Sequence, residues 1–111
     1  MSIKIVISDT VGFRVEGAIN NEGGNAEPFD FSLTCTRLDA DQIQAKLKDQ
    51  PEASLVDFMV DVIKDWRGVK AENSTVLPYS ADAYRQLCKI PGIAAMAYRT
   101  YLGEVGAKEK N

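Results

Sequence analysis

The chain contains no histidine. That absence excludes His-based catalytic triads and His-ligated metal sites. Of its 111 residues only two are cysteines, Cys35 and Cys88, far apart and in no metal-ligand spacing. Each falls on an apolar face, so each is expected to be a small buried hydrophobe with a free thiol. No apolar run approaches the ~20 residues of a bilayer-spanning helix; the longest is Ile93–Tyr98. There is no basic stripe either. The arginines at 14, 37, 67, 85 and 99 are scattered, the lysines cluster only at Lys46/Lys48 and Lys108/Lys110, and the net charge is −3. The electrostatic footprint of a nucleic-acid binder is therefore missing. Gly23-Gly24 has no following Lys-Ser/Thr and precedes no helix pattern, so no phosphate loop is expected. Met1-Ser2-Ile3-Lys4 does not begin a secretory signal, and a cytoplasmic protein is the expectation. In that setting Asn73-Ser74-Thr75 has no meaning as a glycosylation sequon. Together these absences predict a domain with no catalytic machinery and no metal site.

What is present is a change of hydrophobic period part-way along the chain. Ile3, Ile5 and Ile7 alternate with other residues, as in a strand. Val11, Phe13 and Val15 alternate with Arg14 and Glu16 in a second strand. Asn20-Asn21-Glu22-Gly23-Gly24-Asn25 is a turn cluster tolerant of positive φ. Phe29, Phe31, Leu33 and Cys35 then alternate with Asp30, Ser32, Thr34 and Thr36, giving one apolar and one wet face. A long hairpin over residues 13 to 36 follows from this pattern.

From Asp39 the period becomes helical. Asp39 and Gln42 form a capping box, with Leu38 and Ile43 as a hydrophobic staple, for a helix from about 40 to 49 that stops before Pro51. Ser54 caps a second helix. Leu55, Phe58, Met59, Val62, Ile63 and Trp66 follow its spacing, and Gly68 is placed as its left-handed C-cap. Residues 69 to 78 read as a loop. Ser80 caps a short helix to about Lys89, with Tyr79 and Tyr84 placed as its staple. Pro91 opens a last helix carrying Ile93, Met96, Ala97, Tyr101 and Val105. Strands first and helices after, without βαβ alternation, predict one α+β domain over 1–106: an antiparallel hairpin or small sheet over 1–37, about four helices packed on one face over 38–106, and a frayed tail at 107–111.

Three features are candidates for partner binding. Asp57, Asp61 and Asp65 are spaced i, i+4, i+8 on the expected second helix. They form either a solvated face or a landing strip for a basic helix, with Lys64 and Arg67 relieving their mutual repulsion. Trp66, the only tryptophan, is either a core anchor or an interface hot spot. Tyr98 and Tyr101 share a flank of the last helix with Ile93, Ala94 and Ala97, which suits core packing or self-association equally.

The order Asp65-Trp66-Arg67-Gly68-Val69, then Leu77-Pro78-Tyr79-Ser80, then an Ala/Tyr-rich helix after Ile90-Pro91-Gly92-Ile93 resembles the tail assembly chaperones of long-tailed bacteriophages over residues 54 to 106. In that family a Trp-x-Gly-Val segment ends one helix and a Leu-Pro-aromatic-Ser turn starts the next. The resemblance implies a chaperone in the bacterial host cytoplasm that binds the tape measure protein and keeps it soluble during tail assembly. It also implies self-association and a protein that is not an enzyme and uses no cofactor; the missing basic stripe and apolar span leave no nucleic acid or membrane as an expected partner. The N-terminal half carries no motif of the family. A structural tail protein retained in the particle and an unrelated bacterial adaptor domain are the alternatives.

Overall fold

The computed structural model describes residues 2–3, 8–49 and 54–107. The strand expected over Ile3–Ile7 lies mostly outside these residues; Ile3 itself is exposed and outside any strand. The element order is β1 (Thr10–Asn20), β2 (Ala26–Thr36), α1 (Ala40–Asp49), α2 (Leu55–Val62), β3 (Ile63–Arg67), α3 (Ala81–Leu87) and α4 (Ile93–Val105). The strands form one antiparallel sheet in the order β1-β2-β3. This is the expected α+β arrangement.

The β1–β2 hairpin is longer than the apolar alternation alone indicates. It pairs without interruption from Thr10↔Thr36 to Asn20↔Ala26. The turn cluster closes it. Asn21 Oδ1 accepts from the N–H groups of Gly23 (2.9 Å) and Asn25 (3.1 Å), and Gly24 takes φ 79°. That conformation is nearly free for glycine and costly for residues with a Cβ. Gly17 has a different role. A Cβ there would lie 2.5 Å from Met96 Cε and 2.7 Å from the ring of Phe29, its cross-strand neighbour. Glycine lets that ring and α4 close down onto β1.

The expected second helix is the main correction. It runs only over Leu55–Val62, and the chain passes directly into β3. Ile63 and Trp66 are strand residues paired with Cys35 and Leu33. A register shift between Thr34 and Cys35 explains the misreading. An irregularity of this kind breaks the two-residue alternation, so Ile63 and Trp66, three apart, both face the core. On sequence alone that spacing imitates a helix. Pairing with β2 outweighs the local helical pattern, and a β-branched residue and a tryptophan suit a pleated surface. Gly68 does have φ 86°, but it follows a strand. A Cβ there would sit 3.4 Å from the Asp30 carbonyl oxygen and Phe31 Cα.

Two smaller differences concern connections. The segment read as loop 69–78 is a small reverse hairpin, with a Lys70↔Val76 bridge and the Leu77 N–H donating to Val69 O at 3.0 Å. Pro91 lies in the turn before α4, and the cap is Gly92 at φ 94°. The remaining caps form as the sequence indicates. Asp39 and Gln42 exchange reciprocal hydrogen bonds of 2.9 and 2.8 Å, Ser54 Oγ accepts from the Asp57 N–H at 3.1 Å, and Ser80 Oγ accepts from the Ala83 N–H at 3.0 Å.

The core lies between the apolar face of the sheet (Val15, Phe31, Leu33, Cys35) and helices α2, α3 and α4. α4 packs on β1, and α2 packs on α4 and α3. Among the described residues helix α1 contributes no buried residue, so the buried core of the helical layer comes from α2, α3 and α4.

Candidate interaction surface

The acidic row expected on one helix face is divided by the fold. Asp57 and Asp61 stand on α2, but Asp65 is on β3, opposite Thr34. Each helical member has a cation from elsewhere in the chain. Arg85 of α3 meets Asp57 at 2.8 Å, and Lys46 of α1 bonds Asp61. The expected compensators, Lys64 and Arg67, are instead exposed β3 residues beside Asp65. The Arg85 guanidinium, then the Ser54 hydroxyl, hold the Asp57 carboxyl below the usual aspartate range. Water screens both pairs at the aspartate side, so they add little to the stability of the fold. Lys46 also lies 5.4 Å from the centroid of the Phe58 ring, so one side chain anchors α1 by charge and by cation–π contact.

Trp66 is buried. Its indole stands edge-on to Tyr79 at 5.2 Å and tilted to Tyr84 at 6.5 Å. Its Nε1–H donates to Leu77 O at 2.8 Å, fastening the 69–78 segment to the sheet. Tyr101 is also buried, between Phe13 (6.2 Å) and Phe58 (6.0 Å). Its hydroxyl donates to Thr36 O at 2.7 Å and accepts from the Leu38 N–H at 3.2 Å. Burial raises its pKa. Tyr98, three residues earlier, is half-buried and meets Phe58 edge-on at 5.2 Å. Phe58 thus joins the two tyrosines and Lys46. Trp66 and Tyr101 do not present their side chains to solvent.

The cysteines are free thiols. Cys35 is fully buried, and burial pushes its pKa up to about 12. Cys88 is half-buried and shifted upward for the same reason. Neither has the thiolate character that reactive cysteines need. Tyr84 is fully buried with a hydroxyl that makes no hydrogen bond, its polar neighbour being the weakly accepting Cys88 thiol. Among the described residues no group of three acidic or sulfur side chains is arranged to hold a metal, and no helix is long and apolar enough to cross a membrane.

The structure exposes apolar residues that the sequence pattern assigned to packing or did not single out. Ile43 of α1 is only half-buried, Leu47 is 46% exposed, and Leu55 at the start of α2 is 39% exposed. The signal was available: α1 has apolar residues at helical spacing with no evident place in the core. Comparison with protein-family models, with curated proteins and with solved structures finds no match.

Proposed function

We propose that this chain is a tail assembly chaperone that binds apolar helical segments of a tape measure protein and holds them in solution until the tail tube forms around them. Two kinds of support come together. The resemblance over residues 54 to 106 names the partner. Within it, the Leu77-Pro78-Tyr79-Ser80 turn starts α3 with Ser80 as cap, and the Ala/Tyr-rich α4 follows. The Trp66-Arg67-Gly68-Val69 segment differs from the expected pattern, since it closes a strand and not a helix. The observation that carries the reading is helix α1. It is amphipathic, contributes nothing to the buried core, and exposes Leu47. Lys46 links it to α2 through Asp61 and Phe58, so Leu47 and the half-buried Ile43 are displayed beside that helix. Helices of a client lay their apolar faces on such surfaces, read as i/i+3/i+4 anchors.

The test is co-expression with the cognate tape measure protein. The client is expected to stay soluble with the wild-type chain and to precipitate with a chain carrying Ile43→Ser and Leu47→Ser. A client that precipitates equally with and without the wild-type chain defeats the chaperone reading. A chain found in finished particles would favour a structural tail protein instead.

A further inference from the structure

Among the described residues, strand β1 has one paired edge and one open edge. Its 11 residues pair with β2 throughout, and among the described residues nothing pairs with its other side. The hydrogen-bond phase identifies the groups on the open side. Asn21 N–H donates to Asn25 O, and Arg37 N–H to Asp9 O, so odd-numbered residues of β1 bond to β2. The even-numbered residues Thr10, Gly12, Arg14, Glu16, Ala18 and Asn20 therefore direct their N–H and C=O groups outward. Pro28 of β2, which has no N–H, stands opposite one of these, Ala18, in agreement with that phase.

Natural sheets blunt such edges with proline, lysine, bulges or short strands. The far edge, β3, is five residues long and is joined through a register shift. β1 has no proline, no lysine and no bulge against β2, and its two charges, Arg14 and Glu16, are of opposite sign and so do not repel a second copy.

We propose that the open edge of β1 pairs antiparallel with β1 of a second copy of this chain, across a two-fold axis at Val15, to make one continuous six-stranded sheet. The strand is self-complementary about that residue. Thr10 then faces the partner's Asn20, Gly12 the partner's Ala18, and Arg14 the partner's Glu16, with each contact repeated by symmetry. From Gly12 to Ala18 every outward N–H and C=O of β1 meets one of the opposite kind; the Thr10 carbonyl, which accepts from Ser8 Oγ at 2.9 Å, has a second lone pair for the partner's Asn20. Neighbouring registers do not work. A two-residue slip one way sets Arg14 against Arg14, and the other way sets Glu16 against Glu16. A one-residue slip turns the apolar face of one strand to the wet face of the other. Arg14 and Glu16 are available for the exchange: they touch each other at 3.2 Å with side chains 62% and 64% exposed. On the apolar side, Val11 comes beside the partner's Ile19, a residue otherwise 42% exposed. The resemblance implies self-association without locating it; the pairing across β1 is argued from the sheet edge alone, so it stands or falls separately from client binding on α1.

Sedimentation velocity from about 1 to 500 µM at low salt tests it, with circular dichroism to confirm that each variant folds. The wild-type chain is expected to show a monomer–dimer equilibrium. Arg14→Glu alone and Glu16→Arg alone each replace two attractive cross-strand pairs by two repulsive ones, weakening the dimer roughly tenfold. An equimolar mixture of the two variants, or the exchange R14E/E16R in one chain, is expected to restore it. Ala18→Pro removes an outward N–H without touching the β1–β2 ladder and is expected to weaken the dimer as well. A wild-type chain that stays monomeric at 500 µM overturns the proposal, as does a dimer indifferent to all these changes.

Discussion

The Tyr101 hydroxyl is the most economical place to test how the helical layer is joined to the sheet. Tyr101→Phe keeps the ring between Phe13 and Phe58 and so leaves the apolar packing in place. It removes the donor to Thr36 O at the end of β2 and the acceptor for the Leu38 N–H just before α1. A typical net hydrogen bond contributes about 0.5–1.5 kcal/mol, and stranding a buried partner costs about 1–3 kcal/mol. Two bonds lost from a fully buried residue thus predict a destabilisation of about 2 kcal/mol. For a domain of this size that corresponds to a fall of roughly 6–12 °C in Tm. Urea denaturation should show a lower midpoint with an unchanged m-value, since the surface exposed on unfolding is the same. Hydrogen exchange should show loss of protection at the Leu38 amide, while amides in the middle of β2 change only by the global amount. A loss under about 0.5 kcal/mol, or a Leu38 amide as protected as before, would refute the account of this hydroxyl as the link between β2, α1 and α4.

Other expectations follow from single contacts. Ser54→Ala and Ser80→Ala should each lose about 0.5–2 kcal/mol in urea melts, because each removes the acceptor for an orphan helix N–H. Gly17→Ala forces Met96 Cε, the free end of a flexible side chain, and the half-buried Phe29 ring to move aside, so it should cost no more than about 1 kcal/mol in a urea melt, and a larger loss would mean that these side chains cannot give way. Cys35 gives a pH prediction. Its folded pKa is raised from 9.0 to about 12, so the unfolded thiol loses its proton first. Stability is then fully present below pH 9 and is lost as pH rises toward 12, by about 1.4 kcal/mol per pH unit from this group. Cys35→Ala should lower stability at pH 7 yet decline less steeply above pH 9, and equal slopes would count against a buried thiol.

The parts of the fold that the sequence made legible are those governed by local rules. The alternation from Phe29 to Cys35, the turn cluster at Asn20–Asn25 and the caps at Asp39, Ser54 and Ser80 each satisfy their own hydrogen bonds or faces within a few residues. What was not legible depended on partners distant in sequence. Asp57 and Asp61 looked like a free acidic row because nothing local shows that Arg85 and Lys46 will face them. The open edge of β1 was equally hidden, since a strand's pairing partners do not follow from its own alternation. Its self-complementary order Arg14-Val15-Glu16 was present in the sequence, but it acquires meaning only where that edge has no partner among the described residues.

Trp66 shows how one error spreads. Read as the end of a helix, it completed a stripe with Leu55, Met59 and Val62, aligned Asp65 with Asp61, and made Gly68 a helix cap. The register shift between Thr34 and Cys35 undoes all three readings at once, because it lets Ile63 and Trp66 face inward from a strand. The indole then reaches Leu77 O and holds the 69–78 hairpin against the sheet. Phe at 66 would keep most of the ring contacts with Tyr79 and Tyr84 but lose that bond. Trp66→Phe is therefore expected to cost about 1–3 kcal/mol, from the stranded carbonyl and the smaller ring. It should also release protection at the Leu77 amide, which donates to Val69 O at the base of the hairpin. A helix running on to residue 66 predicts the opposite pattern. Amide protection would then follow i→i−4 bonds through Asp65 and Trp66, and the 69–78 amides would be indifferent to the substitution. Hydrogen exchange on the two chains separates these outcomes, and protection unchanged at Leu77 would remove Trp66 as the anchor of that segment.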